Sequence, residues 1–480
     1  MRRATRIAAA SAGAAAAVCA LPASALAHGI SERADVPVPE VVFAWAAAGV
    51  LVLSFIILAL FWPKPKLEHE SWRPIGKGDP NGAQPAFWQV IDVFCGLVGF
   101  LLLVLVLWAG FDGTQTEAAN IAPTLVYVVF WNGLAFASIL LGDVFRAFNP
   151  WRAAATAVAW VASAISRGSL PEPLRYPERL GRLPAALGLT AFTVMELVID
   201  DGNLPRNVAI GTAIYSVATW AGMALYGIDR WLERGESFNV YFGLFGRIAP
   251  FERRDGVLGV RKPLSGLTRV DAIPGTVLFV AVMIGTVTFD GLKEGQFFTG
   301  ISPDLQDFFN GIGFDMKHSL ELANLVGLLA CVLVVWGFYE LGAAGARSVG
   351  GGFGREELAR KFVHTLVPIA FVYVAAHYLT QLLFKGQTMA YLTSDPLGRG
   401  WDLFGGRDSG IDYGVIGATA TWYWQVGFVV VGHVAALVLA HDRALVMYAD
   451  ARQAVRSQYW MLGVMVGFTC LALWLLSEVS

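Results

Sequence analysis

The sequence predicts an all-α polytopic membrane bundle, and three observations predict it. Ten apolar stretches have bilayer-crossing length, a basic alanine-rich leader precedes them, and Lys/Arg residues sort to alternate loops. With 56% hydrophobic and only 15% charged residues, the composition lies outside the range of soluble domains. The net charge of -2 offers no basic surface for nucleic acid.

Residues 1–27 read as a cleavable signal peptide. Arg2, Arg3 and Arg6 form its positive start, an alanine-rich run follows, and Ala25-Leu26-Ala27 fits the cleavage site. A retained first helix is the alternative. Cleavage leaves a single membrane domain, 28–480, with Cys95, Cys331 and Cys470 inside apolar stretches and without CxxC spacing. Neither a disulfide framework nor a thiolate metal site follows from that pattern, and the three cysteines read as small hydrophobes.

Crossing a bilayer core takes about 20 apolar helical residues. The predicted spans are 41–62, 87–110, 121–142, 183–200, 206–227, 272–290, 318–341, 361–384, 415–441 and 459–477. An exported leader puts the mature N-terminus outside, in the cell membrane. The loops this assigns to the inside hold 25 Lys/Arg against 7 outside, as the positive-inside rule requires. Segment 151–166 is apolar but short and carries Arg152, so it reads as an interfacial or re-entrant helix. Segment 238–251, FNVYFGLFGRIAPF, reads as a second interfacial helix. A weak echo links Trp131-Asn132-Gly133-Leu134-Ala135 with Trp220-Ala221-Gly222-Met223-Ala224, which fits an old parallel duplication or chance.

Ionisable side chains inside a span are costly to bury, so each is a functional candidate. The outward half carries Glu196, Asp200 and Asp201 at the end of span four, and Asp290 at the end of span six. Asp315, His318 and Glu321 stand where span seven begins, and His377 lies in span eight. His318 and Glu321 are three apart on one helical face. With His377 they form a candidate set for a zinc-like divalent metal, whose bound water would be a nucleophile at neutral pH. Glu196 and Asp200 are the candidate catalytic carboxylates, with Glu196 as general base. Plainer roles stay open: a helix cap at His318 and Glu321, and a hydrogen-bonded bundle pair at His377-Tyr378.

The inward half carries Glu340, His364, His433 and His441. His364 and His377 are thirteen residues, or about 20 Å, apart on one predicted helix, too far to share a metal. His441-Asp442-Arg443 reads as structural, and His433 as a proton relay if the protein is a transporter. Cleavage after Ala27 would expose His28, whose amine and imidazole could chelate copper with His318 or His377. Outer loops 291–317 and 385–414 are aromatic and glycine-bearing, suited to a lid or to ordinary packing caps.

Four blocks carry a family resemblance: FNVYFGLFGRIAPF from Phe238, HTLVPIAFVYVAAHY from His364, SDPLGRGWDLFG from Ser394 and GHVAALVLAHDRAL from Gly432. They resemble a family of polytopic actinobacterial membrane proteins commonly named fenitrothion hydrolase, across nearly the whole mature chain. The resemblance implies hydrolysis of hydrophobic organophosphorus esters at a membrane-embedded site, but it brings no catalytic residues with it. The chain has no His-x-His ligand pair and no Gly-x-Ser-x-Gly elbow. The leading expectation is therefore a membrane hydrolase using helix-borne His and carboxylates on a small hydrophobic substrate. A transporter, ion-coupled or passive, with Glu196 and His433 as coupling groups, is the alternative, and a copper-handling protein built on His28 is a third. No P-loop points to nucleotide-driven transport.

Overall fold

The computed structural model describes residues 40–75, 86–166, 171–254, 256–270, 273–448 and 450–479. The leader and His28 lie outside them. The elements follow in chain order: α1 (Glu40–Phe61), β1 (Arg73–Pro74), α2 (Ala86–Asp112), α3 (Ile121–Leu141), α4 (Val144–Phe148), α5 (Pro150–Ile165), α6 (Leu183–Leu197), α7 (Pro205–Tyr226), α8 (Ile228–Arg234) and α9 (Ser237–Gly246). Next come β2 (Phe251–Arg254), β3 (Val257–Val260), α10 (Thr276–Lys293), α11 (Gln296–Gly311) and α12 (Met316–Arg347). The chain closes with α13 (Arg355–Phe362), α14 (Val367–Phe384), α15 (Met389–Ser394), α16 (Ala418–Met447) and α17 (Ala451–Val479).

The protein is an all-α polytopic membrane bundle. Eight helices among the described residues are long and apolar enough to cross a bilayer: α2, α3, α7, α10, α12, the α13–α15 stretch, α16 and α17. Shorter apolar helices, Trp45–Phe61 in α1 and α6 itself, stand where the first and fourth spans are predicted. In lipid every backbone N–H and C=O must find an internal partner, and helices do this within one segment.

Position in the bundle follows from which helices are apolar on every side. α10, TVLFVAVMIGTVTFDGLK, is buried along nearly its whole length, as is α14. They form the centre, with α10 packed on α12 and α14 on α16. α2 instead turns Phe87, Val90, Val93 and Leu101 outward, a surface suited to lipid tails. Without a hydrophobic force between helices in lipid, close packing decides association. At Gly285 of α10 an added Cβ would stand 2.6 Å from the Val332 Cα of α12. Gly285→Val is expected to cost about 1–3 kcal/mol through overpacking. A lower melting temperature in detergent would show it; an unchanged melting curve would mean that the contact is soft.

The two predicted interfacial segments end up in different places. α5 lies against α2 and α7 and leaves Val158, Trp160 and Ile165 exposed, as a helix at an interface would. Segment 238–251 divides into α9 and the start of β2. α9 is enclosed by α3, α4, α6 and α14, with Tyr241, Phe242 and Phe245 fully buried. Its aromatic rings pack on protein neighbours rather than headgroups: Phe238 on Phe192 at 5.2 Å, and Tyr241 stacked on Trp131 at 4.5 Å.

A lock closes the end of the bundle that the charge count assigns to the inside. The Asp442 carboxylate, fully buried, accepts from the Trp62 indole (2.8 Å) and from the N–H groups of Lys66 (2.8 Å), Leu67 (2.6 Å) and Glu68 (3.0 Å). His441 Nε2 meets the Trp62 carbonyl at 3.0 Å. Arg443 pairs with Glu68 at 2.6 Å and donates to the Thr268 carbonyl at 2.5 Å. Beside this lock a small antiparallel sheet, in the order β1-β3-β2, sets Arg73 opposite Val260 and Phe251 opposite Val260 on the other edge.

Candidate functional site

The candidate site forms at the opposite end, here called the Asp200 end. α6 ends there, and Glu196 occupies its last turn. Gly188, Phe192 and Glu196 are spaced four apart, so they make one stripe along α6. Glu196 Oε2 is buried without a hydrogen-bond partner. Its side chain lines a cleft of about 140 Å³ together with Asp200, Asn203, Lys293, Leu320 and Asn324. The Lys293 ammonium is directed to the Leu197 carbonyl at 3.1 Å and has no bond to Glu196.

Beside the stripe lies a carboxylate–imidazole–phenol group. His377 Nε2 faces Asp290 Oδ2 at 2.9 Å, and Tyr378 donates to the same oxygen at 2.7 Å. In the neutral imidazole the carboxylate fixes the proton on Nε2, and Nδ1 is then the acceptor. Both side chains of the pair are largely buried, at 23% and 20% exposure. Asp290 and Glu196 lie within electrostatic reach of one another, as do Glu196 and Tyr127, Tyr241 and Tyr378. Five elements (α3, α6, α9, α10 and α14) therefore bring acid–base groups to one region of the bundle.

α3 contributes through an unusual winding. From Thr124 to Gly133 it is π-helical, and the Leu134 N–H reaches back to the Val129 carbonyl. Such wide turns usually occur singly and often at functional sites. Here the Asn132 amide donates to Gln381 Oε1 of α14 at 2.8 Å and to the Tyr127 carbonyl at 3.1 Å. Tyr127 donates to the Gly202 carbonyl at 3.3 Å, and Trp131 Nε1 is buried with no partner.

The three residues expected to hold a metal are not brought together. His318 is exposed and engages Asp315 at 2.8 Å, while Asp315 caps α12 by accepting the His318 N–H at 2.9 Å. Glu321 Oε1 accepts the Asp200 N–H at 3.2 Å. His377 belongs to Asp290. Among the described residues no group of three or more His, Cys, Asp or Glu is placed to hold a metal ion. The capping requirement of α12 and the pull of Asp290 give each residue a separate partner. The metal-to-protein ratio of purified protein is therefore expected to be equal in wild type and His377→Ala; metal lost only from the variant would contradict this.

Asp201 pairs with Lys317 at the exposed rim, where an ion pair is worth little. Elsewhere, His433 Nδ1 donates to the Val429 carbonyl at 2.7 Å, and its Nε2 is buried without a partner. His364 is buried in the 3-10 turn before α14, and Glu340 faces Arg355 at 3.5 Å.

Glu196, Asp290 and His377 stand out in the sequence as ionisable groups in apolar spans, whereas Trp131, Asn132, Tyr241 and Gln381 do not. A polar Asn132 inside an apolar span was the available signal. Glu236, fully buried at the N-cap of α9, does not stand out either. That carboxylate accepts the N–H groups of Phe238 (3.0 Å) and Asn239 (2.8 Å), the Asn149 amide (3.0 Å) and the Tyr215 hydroxyl. Burial pushes the Glu236 carboxyl above its ordinary range, against these hydrogen bonds, which pull it down. Comparison with family models, curated proteins and solved structures gives no match.

Proposed function

We propose that the protein is a membrane carrier that moves protons across the bilayer, with Glu196 as the group that takes up and releases the proton. The observation that carries this reading is the buried Glu196 oxygen at the cleft, which has no hydrogen-bond partner and no ion pair although Lys293 lines the same cleft and Lys385 is within electrostatic reach, inside the span and beside the Asp290–His377–Tyr378 group. Ionisable residues kept inside a bundle are the usual material of proton relays. A carboxylate with no fixed counter-ion can change its protonation without breaking an ion pair. The charge count puts this cleft on the outside, so Glu196 would load from that face. The test is proton entry into liposomes that hold a pH-sensitive dye, driven by an inside-negative potential. Wild-type protein should acidify the lumen faster than protein-free liposomes, and equal rates would remove the reading.

A second reading keeps the hydrolase implied by the family resemblance, without the metal set. It is favoured by His377, whose imidazole is oriented by Asp290 as general bases are. Glu196 or His377 Nδ1 would then deprotonate water for attack at phosphorus. A chromogenic aryl phosphotriester separates the two readings. Release of the phenol by wild type, lost in both Glu196→Gln and His377→Ala, would establish hydrolysis. The carrier reading predicts no release above the rate without protein.

A further inference from the structure

α9 packs against the Glu196 stripe of α6. Ser237 Oγ and the Tyr215 ring of α7 both lie against Gly188. One turn further, Phe238 meets Phe192 at 5.2 Å. Tyr241 follows, stacked on Trp131, which itself lies 4.9 Å from Phe192, and Tyr241 is within electrostatic reach of Glu196. The distance along α6 from Glu196 to Gly188 is about 12 Å. Over that distance the polar atoms buried with no partner include Glu196 Oε2, Tyr241 Oη and Ser237 Oγ. Buried groups of this kind are normally completed by ordered water, and orphans in one file need an explanation. At the far end stands a second buried carboxylate, Glu236, joined to the Tyr215 hydroxyl, whose oxygen accepts the Ser237 N–H at 3.0 Å.

We propose that a proton path runs through the protein from Glu196, by way of the Tyr241 and Ser237 hydroxyls and bridging water, to the Tyr215–Glu236 pair. It rests on the carrier reading and extends it by naming the inward half of the route. Each hydroxyl accepts one proton on oxygen and passes its own on, so neither changes charge. The net change is one proton leaving the Glu196 carboxyl and one arriving at the Glu236 carboxylate. Glu236 also caps α9 with both oxygens, Oε1 accepting from Phe238 and Oε2 from Asn239, so a glutamine there keeps an acceptor for one of the two N–H groups.

The dye-loaded liposome assay tests the path with Tyr241→Phe, Ser237→Ala and Glu236→Gln, beside Glu196→Gln. Tyr373→Phe is the control, since its buried hydroxyl is tied to the Phe468 carbonyl away from the file. Only variants that elute from size exclusion as wild type are compared, and Tyr241→Phe, which keeps the ring, decides if Glu236→Gln misfolds. Tyr241→Phe and Glu236→Gln are expected to slow proton entry on the order of a hundredfold, with Tyr373→Phe unchanged. Loss in Glu196→Gln with normal rates in Tyr241→Phe and Glu236→Gln would overturn the path and leave the carrier reading standing. No proton entry in wild type would overturn both.

Discussion

Replacing Asp442 with alanine is expected to destabilise the protein by about 3 kcal/mol or more, the range for stranding partners of a buried charge. The reason is the number of groups left behind. The indole of Trp62 and three consecutive backbone N–H groups converge on one fully buried carboxylate. Alanine offers them no acceptor, and a buried orphan N–H bears its full desolvation penalty. Asp442→Asn should fall between, because its amide oxygen still accepts while its NH₂ faces donors. The loss propagates, since the same segment carries Glu68, the partner of Arg443, and leads to β1. Thermal unfolding in detergent measures the effect. A variant within about 1 kcal/mol of wild type would mean that the 62–68 segment is held by other contacts.

Glu196→Gln is expected to reduce proton entry to the rate of protein-free liposomes while leaving the melting temperature near that of wild type. Glutamine matches glutamate in size and has no proton to exchange. Since Oε2 has no partner and Lys293 is directed to the Leu197 carbonyl, no ion pair is broken by the change. A structural carboxylate would give the reverse pattern, with lower stability and normal flux. Glu196→Asp should retain part of the rate, because it titrates but reaches one methylene less far toward Tyr241. The expected effects fall at opposite ends of the molecule, on stability at Asp442 and on proton entry at Glu196.

How much of this was legible in the sequence depends on the kind of signal. The bundle was legible because lipid leaves few structural options, and runs such as that of α10 announce burial on all sides. Glu196 was legible as a carboxylate in an apolar helix. Its neighbours were not, since helix adjacency is set by tertiary packing. Asp290 and His377 lie 87 residues apart. Spacing within one helix favoured His318 with Glu321, yet the cap of α12 took His318 and the Asp200 loop took Glu321. α9 was misplaced for a physical reason: an aromatic helix suits a headgroup layer or an aromatic core equally well. Only the contacts with Trp131 and Phe192 decide between them. The π-helical winding of α3 has no sequence signature comparable to a cap or a proline.

The most direct measurement is infrared difference spectroscopy of the reconstituted protein across a pH titration, comparing wild type with Glu196→Gln. If Glu196 loads the proton, a carboxyl carbonyl band grows in wild type as the pH falls and is missing from the variant. Identical difference spectra would show that Glu196 does not exchange its proton, and the carrier mechanism built on it would fall.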